Sequence, residues 1–153
     1  SAGAASASAS DLLFVRPAAG AGVMSSAAGG SFGTGYCAGG RVLPGANQFQ
    51  RYGFELSCID GHALSGTREN RSCCAGIVIE QILAGSFHMG IGTVGYLYSG
   101  AKESPVGLCA TLGWEPCTAT GLRPLVAYRT DCILKNGSAS IMSSIVFGMG
   151  LYL

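Results

Sequence analysis

Charge is what this sequence has least of. Only 11% of its 153 residues are Asp, Glu, Lys or Arg, against roughly 25% in an ordinary soluble domain, so a hydrated surface around a buried core is hard to build from it. The formal net charge is +1, which supplies neither a basic patch for nucleic acid nor an acidic tail, and no nucleic-acid partner is expected. Histidine is scarce, with two in the chain, and no Cys-x-x-Cys occurs, so neither a structural zinc site nor a cofactor is expected. Long apolar runs are missing as well. A membrane helix needs about 20 consecutive apolar residues, and the nearest approach, Cys73 to Tyr98, is interrupted by Glu80, Gln81, His88 and glycines at 85, 90, 92 and 95.

Hydrophobic residues make up 48% of the chain and glycine contributes 25 residues. The glycines follow no Gly-X-Y period and fall inside apolar segments, which excludes collagen and speaks against a disordered linker. Residues 1–11 open as Ser-Ala-Gly-Ala-Ala-Ser, a low-complexity segment resembling a mature amino terminus left after a presequence is removed. Residues 12–153 then form one domain by length.

Within that domain the dominant signal is a period of two. From Ser138 to Leu153, the set Ile141, Ser143, Ile145, Phe147, Met149, Leu151, Leu153 alternates with Ser140, Met142, Ser144, Val146, Gly148, Gly150, Tyr152. The preceding stretch sets Pro124, Val126, Tyr128 and Thr130 against Arg123, Leu125, Ala127, Arg129 and Asp131, so its charges share one face. Cutting the chain at its turn-like clusters gives eight runs, near 12–24, 32–43, 51–59, 73–83, 86–98, 106–116, 121–135 and 138–153. Most approach the roughly 9–11 residues that a tilted membrane strand needs. Each run phases with apolar residues outward and charged or small residues inward, the order of a barrel in lipid. Eight strands close such a sheet without a free edge. The expected fold is therefore all-β, an eight-stranded antiparallel up-and-down transmembrane barrel.

The phasing predicts specific pairings. A two-residue turn at Asn136-Gly137 sets Lys135 opposite Ser138, Arg129 opposite Ser144 and Asp131 opposite Met142. A turn at Ala84 sets Glu80 opposite His88, and one at Ala119 sets Glu115 opposite Arg123. The lumen then holds a neutralising network of Arg16, Arg41, Arg123, Arg129, Lys135, Glu55, Glu80, Glu115 and Asp131, with His88 beside Glu80. Side chains fill so narrow a bore, and no general diffusion pore is expected. Connections on the side of the termini read as short and those on the far side as longer, the longest running from Asp60 to Ser72.

Through strand count, length, lumen charge and segments such as Ser86-Phe87-His88-Met89-Gly90-Ile91-Gly92 and Gly121-Leu122-Arg123-Pro124, the chain resembles the small eight-stranded outer-membrane barrels. That class includes the transmembrane domain of the major outer-membrane anchoring protein and the lipid A deacylases. The resemblance covers most of the chain from Leu12 onward and implies an integral outer-membrane location with membrane lipid as the surrounding partner. Two features depart from it: the chain ends Leu151-Tyr152-Leu153 instead of in an aromatic residue, and seven cysteines are many for the class.

Cys58 and either Cys73 or Cys74 flank the longest far-side connection at mirrored positions, and an oxidising compartment would join Cys58 to one of them, Cys73 being the expected partner. An odd number of cysteines leaves at least one unpaired. For catalysis, His62, Ser65 and Glu69 share that connection, but the deacylase arrangement of histidine and serine two apart fails because Leu64 occupies the serine's position. No catalytic residue is assigned, and the expected role is structural or surface-interacting, with protein partners in a larger membrane assembly. Two alternatives stay open, a lipid-modifying outer-membrane hydrolase and a polytopic helical accessory subunit of an organellar inner-membrane complex. Glycine spacings such as Gly92-x-x-Gly95 favour the helical reading, while Arg71, Glu80, Arg129 and Asp131 oppose it. A third architecture, a secreted lipocalin-like soluble barrel, would place apolar residues inside and charges out.

Overall fold

The structure is a computed structural model that describes residues 12–26, 32–46, 49–63, 69–83, 86–98, 106–135 and 138–153. They form eight strands: β1 (Leu12–Ser26), β2 (Phe32–Ala46), β3 (Gln50–Ala63), β4 (Glu69–Ile82), β5 (Phe87–Tyr98), β6 (Val106–Trp114), β7 (Arg123–Lys135) and β8 (Ser138–Tyr152). Every strand pairs antiparallel with the next, and β8 returns to β1, giving a closed barrel. No helix occurs among the described residues, which overturns the polytopic helical reading. The backbone polar groups are satisfied between strands around the whole circumference, as a chain surrounded by hydrocarbon requires.

Burial follows the period of two and inverts the order of a soluble protein. Ile91, Leu56 and Phe147 are 64%, 64% and 60% exposed, whereas Glu80, Glu115 and Arg51 are 0%, 1% and 1%. A lipocalin-like soluble barrel would show the opposite. Outward aromatic residues Phe49, Tyr52, Phe87 and Trp114 are all exposed at the terminal end of the barrel, where an interfacial girdle sits in barrels of this kind.

The ladder at the β7–β8 hairpin has Lys135↔Ser138, Arg129↔Ser144 and Asp131↔Met142, the pairs read from Asn136-Gly137. Elsewhere the register differs from expectation. Between β4 and β5, Glu80 lies opposite Gly90 and His88 opposite Ile82. The offset is two residues, so both keep their inward face. It arises because the hairpin is centred one residue later than Ala84, with Ile82 opposite His88 and the Leu83 N–H donating to the Phe87 carbonyl.

Between β6 and β7 the ladder ends at Trp114↔Val126, and Glu115 does not oppose Arg123. The Glu115 N–H instead donates to the Ser86 carbonyl at 2.7 Å, which pulls residue 115 towards β5. The connection 115–122 turns at Gly121, whose φ of +80° is a left-handed conformation that glycine adopts without penalty.

The expected order of short near-side and longer far-side connections is followed in part: 47–49 and 83–86 are shorter than 27–31, 64–68 and 99–105, while the 136–137 and 115–122 connections depart from it. β3 and β4 continue to the His62↔Glu69 rung, so most of the presumed loop from Asp60 to Ser72 is ladder and only 64–68 connects the strands, while 115–122 on the terminal side is longer. A polar hairpin extension gives no apolar contrast, so the alternation that marks the wall strands is silent there.

Candidate functional site: the lumen charge network

Among the described residues, four arginines (Arg16, Arg41, Arg51, Arg129) and four carboxylates (Glu55, Glu80, Glu115, Asp131) are buried inside the barrel, so with a neutral histidine these buried side chains sum to zero charge. They form one continuous chain. At the terminal end, Glu115 accepts from Arg16 at 2.8 Å and from Arg51 at 3.1 Å. Glu80 is the hub. It accepts from Arg41 at 2.6 Å and Arg51 at 3.3 Å, and is doubly engaged by Arg16. Arg41 then donates from Nε to Glu55 at 2.7 Å. Glu55 also pairs with Arg129, and Arg129 closes a two-bond fork on Asp131, both bonds at 2.7 Å. Fork geometry is where guanidinium surpasses ammonium as a carboxylate partner, and the four buried cations are all arginine.

The register explains the convergence. Arg16, Arg41 and Glu55 are successive rungs of β1, β2 and β3, while Glu80 reaches them across the bore from β4. Leaving any of these charges unpaired in a narrow interior would be costly. Thr111 accepts from Arg41 at 3.2 Å, and the Ser57 hydroxyl donates to Glu55 at 3.2 Å and lies 2.8 Å from the Cys74 sulfur.

Above and below this layer the bore is apolar. Phe14 and Leu43, with Tyr152 packed against them, close the terminal end; Val94, Ile133 and Met142 are buried towards the far end. A cavity of about 40 Å³ lies between, lined by Arg16, Arg41, Glu55, Ser57, His88 and Thr111 among others. It has room for only a few water molecules. Among the described residues, no set of three or more His, Cys, Asp or Glu side chains is placed to hold a metal ion.

Of the residues predicted for the lumen, Arg16, Arg41, Glu55, Glu80, Glu115, Arg129 and Asp131 belong to this chain of ion pairs. His88 is buried but does not pair with Glu80: its nearest carboxylate is Glu115, with Nδ1 3.6 Å from Oε2, and neither ring nitrogen has a hydrogen-bond partner among the described residues. Gly113 faces it, and a Cβ there would run into the imidazole ring. Arg123 makes no ion pair among the described residues. Its guanidinium carbon lies 5.3 Å from the Tyr152 ring centroid instead, a cation–π contact at the barrel mouth.

Sequence reasoning did not name Arg51, although its parity with Glu55 on β3 already placed it inward; it stacks 4.0 Å from the Phe14 ring centroid and donates to the Tyr152 hydroxyl at 2.9 Å. Cys58 and Cys73 are opposed in the ladder and joined by a disulfide on the outer face. Cys37, Cys74 and Cys109 are free and buried, and Cys117 is free and exposed. For the trio His62, Ser65 and Glu69, His62 and Glu69 are opposed in the backbone ladder, while Ser65 and the side chains of His62, Glu69 and Lys135 lie outside the described residues.

No family model matches the sequence, and no curated protein matches it. Among solved structures, the chain is similar to the crystal structure of Neisserial surface protein A, with a TM-score of 0.55 and 16% identity over 91% of this chain and 96% of that one. It is also similar to a de novo designed transmembrane β-barrel, with a TM-score of 0.50 and 8% identity over 95% and 98% of the two chains. The shared property is the fold, that of a small membrane β-barrel.

Proposed function

We propose that this chain is an integral outer-membrane barrel with a structural or surface-interaction role, that it carries out no catalysis, and that its far-side hairpins meet protein partners in a larger membrane assembly. The observation that carries the reading is the closed, self-neutralised lumen inside an apolar exterior. Among the described residues, every buried carboxylate is paired with arginine, and the cavity of about 40 Å³ admits no sizeable substrate. The specific contacts are assigned to the far rim, where β3 and β4 extend through Asp60, His62, Glu69 and Arg71. The surface-protein name of the Neisserial barrel favours the same location.

Separation of inner from outer membranes, followed by detection of the chain in each fraction, tests the location, and recovery in the inner membrane alone would refute it. Lipid-hydrolysis assays on the reconstituted barrel test the absence of catalysis. Hydrolysis abolished by Ser65→Ala or His62→Ala would replace this reading with that of a hydrolase.

A further inference from the structure

The outer wall between β4 and β7 is unevenly filled. Its ladder aligns outward side chains in rungs that run across the four strands. Gln81, Met89, Leu112 and Tyr128 form a rung that is large throughout. One step further from the termini, Ile79 and Ile91 are followed by the smaller Ala110 and Thr130. In the next rung the small residue is Thr93, between Ile77 and Leu108. In the one after that, Ala75 and Gly95 stand beside Val106 and Leu134. The small positions thus step from β7 and β6 to β5 and then β4, which leaves a diagonal groove between larger side chains. Two adjoining depressions of about 480 Å³ each, sharing Ile77, Thr93 and Leu108, follow that course. Met89, Leu112 and Tyr128, all exposed, stand as a ridge across its end nearer the termini.

We propose that this groove holds one acyl chain of a phospholipid from the leaflet away from the termini, as a long-lived lipid site set apart from the rest of the wall by its fit. No charged side chain lines either depression, so the group it accepts is hydrocarbon and not a headgroup. Its walls are continuous with the apolar face turned to the bilayer, Ile91 and Val106 being among the most exposed side chains of that face. From Ala110 to Val106 the groove runs about 13 Å along β6 at roughly 3.3 Å per residue, close to the ~15 Å depth of one leaflet in a hydrocarbon core of about 30 Å. Lipid tails are as apolar as leucine, so hydrophobicity alone holds no chain against the wall. Packing makes the difference. On an even face a chain touches protein along one side, whereas in the groove it touches a floor and two walls, and each added contact contributes dispersion attraction. A lipid-filled groove rests on the membrane-barrel reading above, and the two fail differently: a chain soluble without detergent would refute that reading, whereas loss of the site alone leaves a folded barrel whose lipids all exchange quickly.

Native mass spectrometry of the full, folded chain in detergent, with dipalmitoyl phosphatidylcholine added as the probe, tests it. The parent should retain one phospholipid. Thr93→Leu/Ala110→Leu fills the groove at its centre, and Gly95→Leu fills it separately at a position where an added Cβ meets nothing closer than the Ala75 carbonyl oxygen at 3.8 Å. Each should lower the occupancy at least about tenfold, while Ala21→Leu on the outer face of β1 should leave it unchanged. Phosphatidylglycerol with the same chains should be retained equally, because the chain is held and the headgroup is not. In vesicles, the unaltered barrel should show one slowly exchanging lipid when probed with chain-spin-labelled phosphatidylcholine. Equal occupancy in the parent and the filled variants would overturn the proposal, as would a single fast exchange component in vesicles. A dimer that is lost on filling would overturn it too, by giving the groove to a second copy of the chain.

Discussion

Glu80 is the residue on which the interior charge most depends, and its truncation has a predictable cost. Glu80→Ala removes the carboxylate that Arg16, Arg41 and Arg51 share and leaves the lumen with one excess positive charge. Breaking a buried pair by deleting one partner costs roughly 3–5 kcal/mol. Each arginine here retains a second carboxylate: Glu115 for Arg16 at 2.8 Å, Glu55 for Arg41 at 2.7 Å and Glu115 for Arg51 at 3.1 Å. That places the loss near the lower end, about 3 kcal/mol. Glu80→Gln keeps the shape and an acceptor while losing the charge, and should cost roughly half as much. Urea unfolding in lipid vesicles can be followed through Trp114, the single tryptophan of the chain, which faces outward near the terminal end. A Glu80→Ala barrel within about 0.5 kcal/mol of the parent would mean that water reaches the arginines and that the network is not the dry assembly described.

Arginine at the outward position Ile145 should destabilise by roughly 2–4 kcal/mol, measured in the same unfolding assay, with little effect if that face is not in lipid. Double-mutant cycles should find coupling of about 1 kcal/mol or more between Glu115 and Arg51 and almost none between Glu115 and Arg123, because Arg123 stacks on Tyr152. Gly113→Val should cost roughly 1–3 kcal/mol through its clash with His88, and His88→Ala in the same chain should recover much of that loss; no recovery would place the imidazole elsewhere.

Much of this architecture was legible in the sequence because membrane strands advertise both faces at once. Leu125, Ala127, Arg129 and Asp131 alternate with Val126, Tyr128 and Thr130 without interruption, and Asn136-Gly137 then fixes the register of the whole β7–β8 hairpin. The inward face of Glu80, His88 and Glu115 was readable for the same reason, and so was that of Arg51. Their partners were not. A pairing inferred from a turn reaches only the neighbouring strand, whereas Glu80 on β4 finds Arg16 on β1 and Arg41 on β2 across the bore. Those contacts depend on the stagger of the closed sheet, which no local pattern encodes. The extent of β3 and β4 was hidden differently, since Asp60, His62, Glu69 and Arg71 continue a ladder without the apolar contrast that reveals one.

Tryptophan quenching in lipid shows whether the barrel turns its apolar face to the acyl chains and its charges inward. In a Trp114→Phe background, a single tryptophan would be placed either at Phe147, 60% exposed on the outer face, or at Phe14, 0% exposed in the lumen. Each variant would be folded into vesicles of lipids brominated along their acyl chains. Strong quenching is expected for Phe147→Trp and little for Phe14→Trp. Equal quenching at the two sites, or quenching confined to Phe14→Trp, would contradict that orientation.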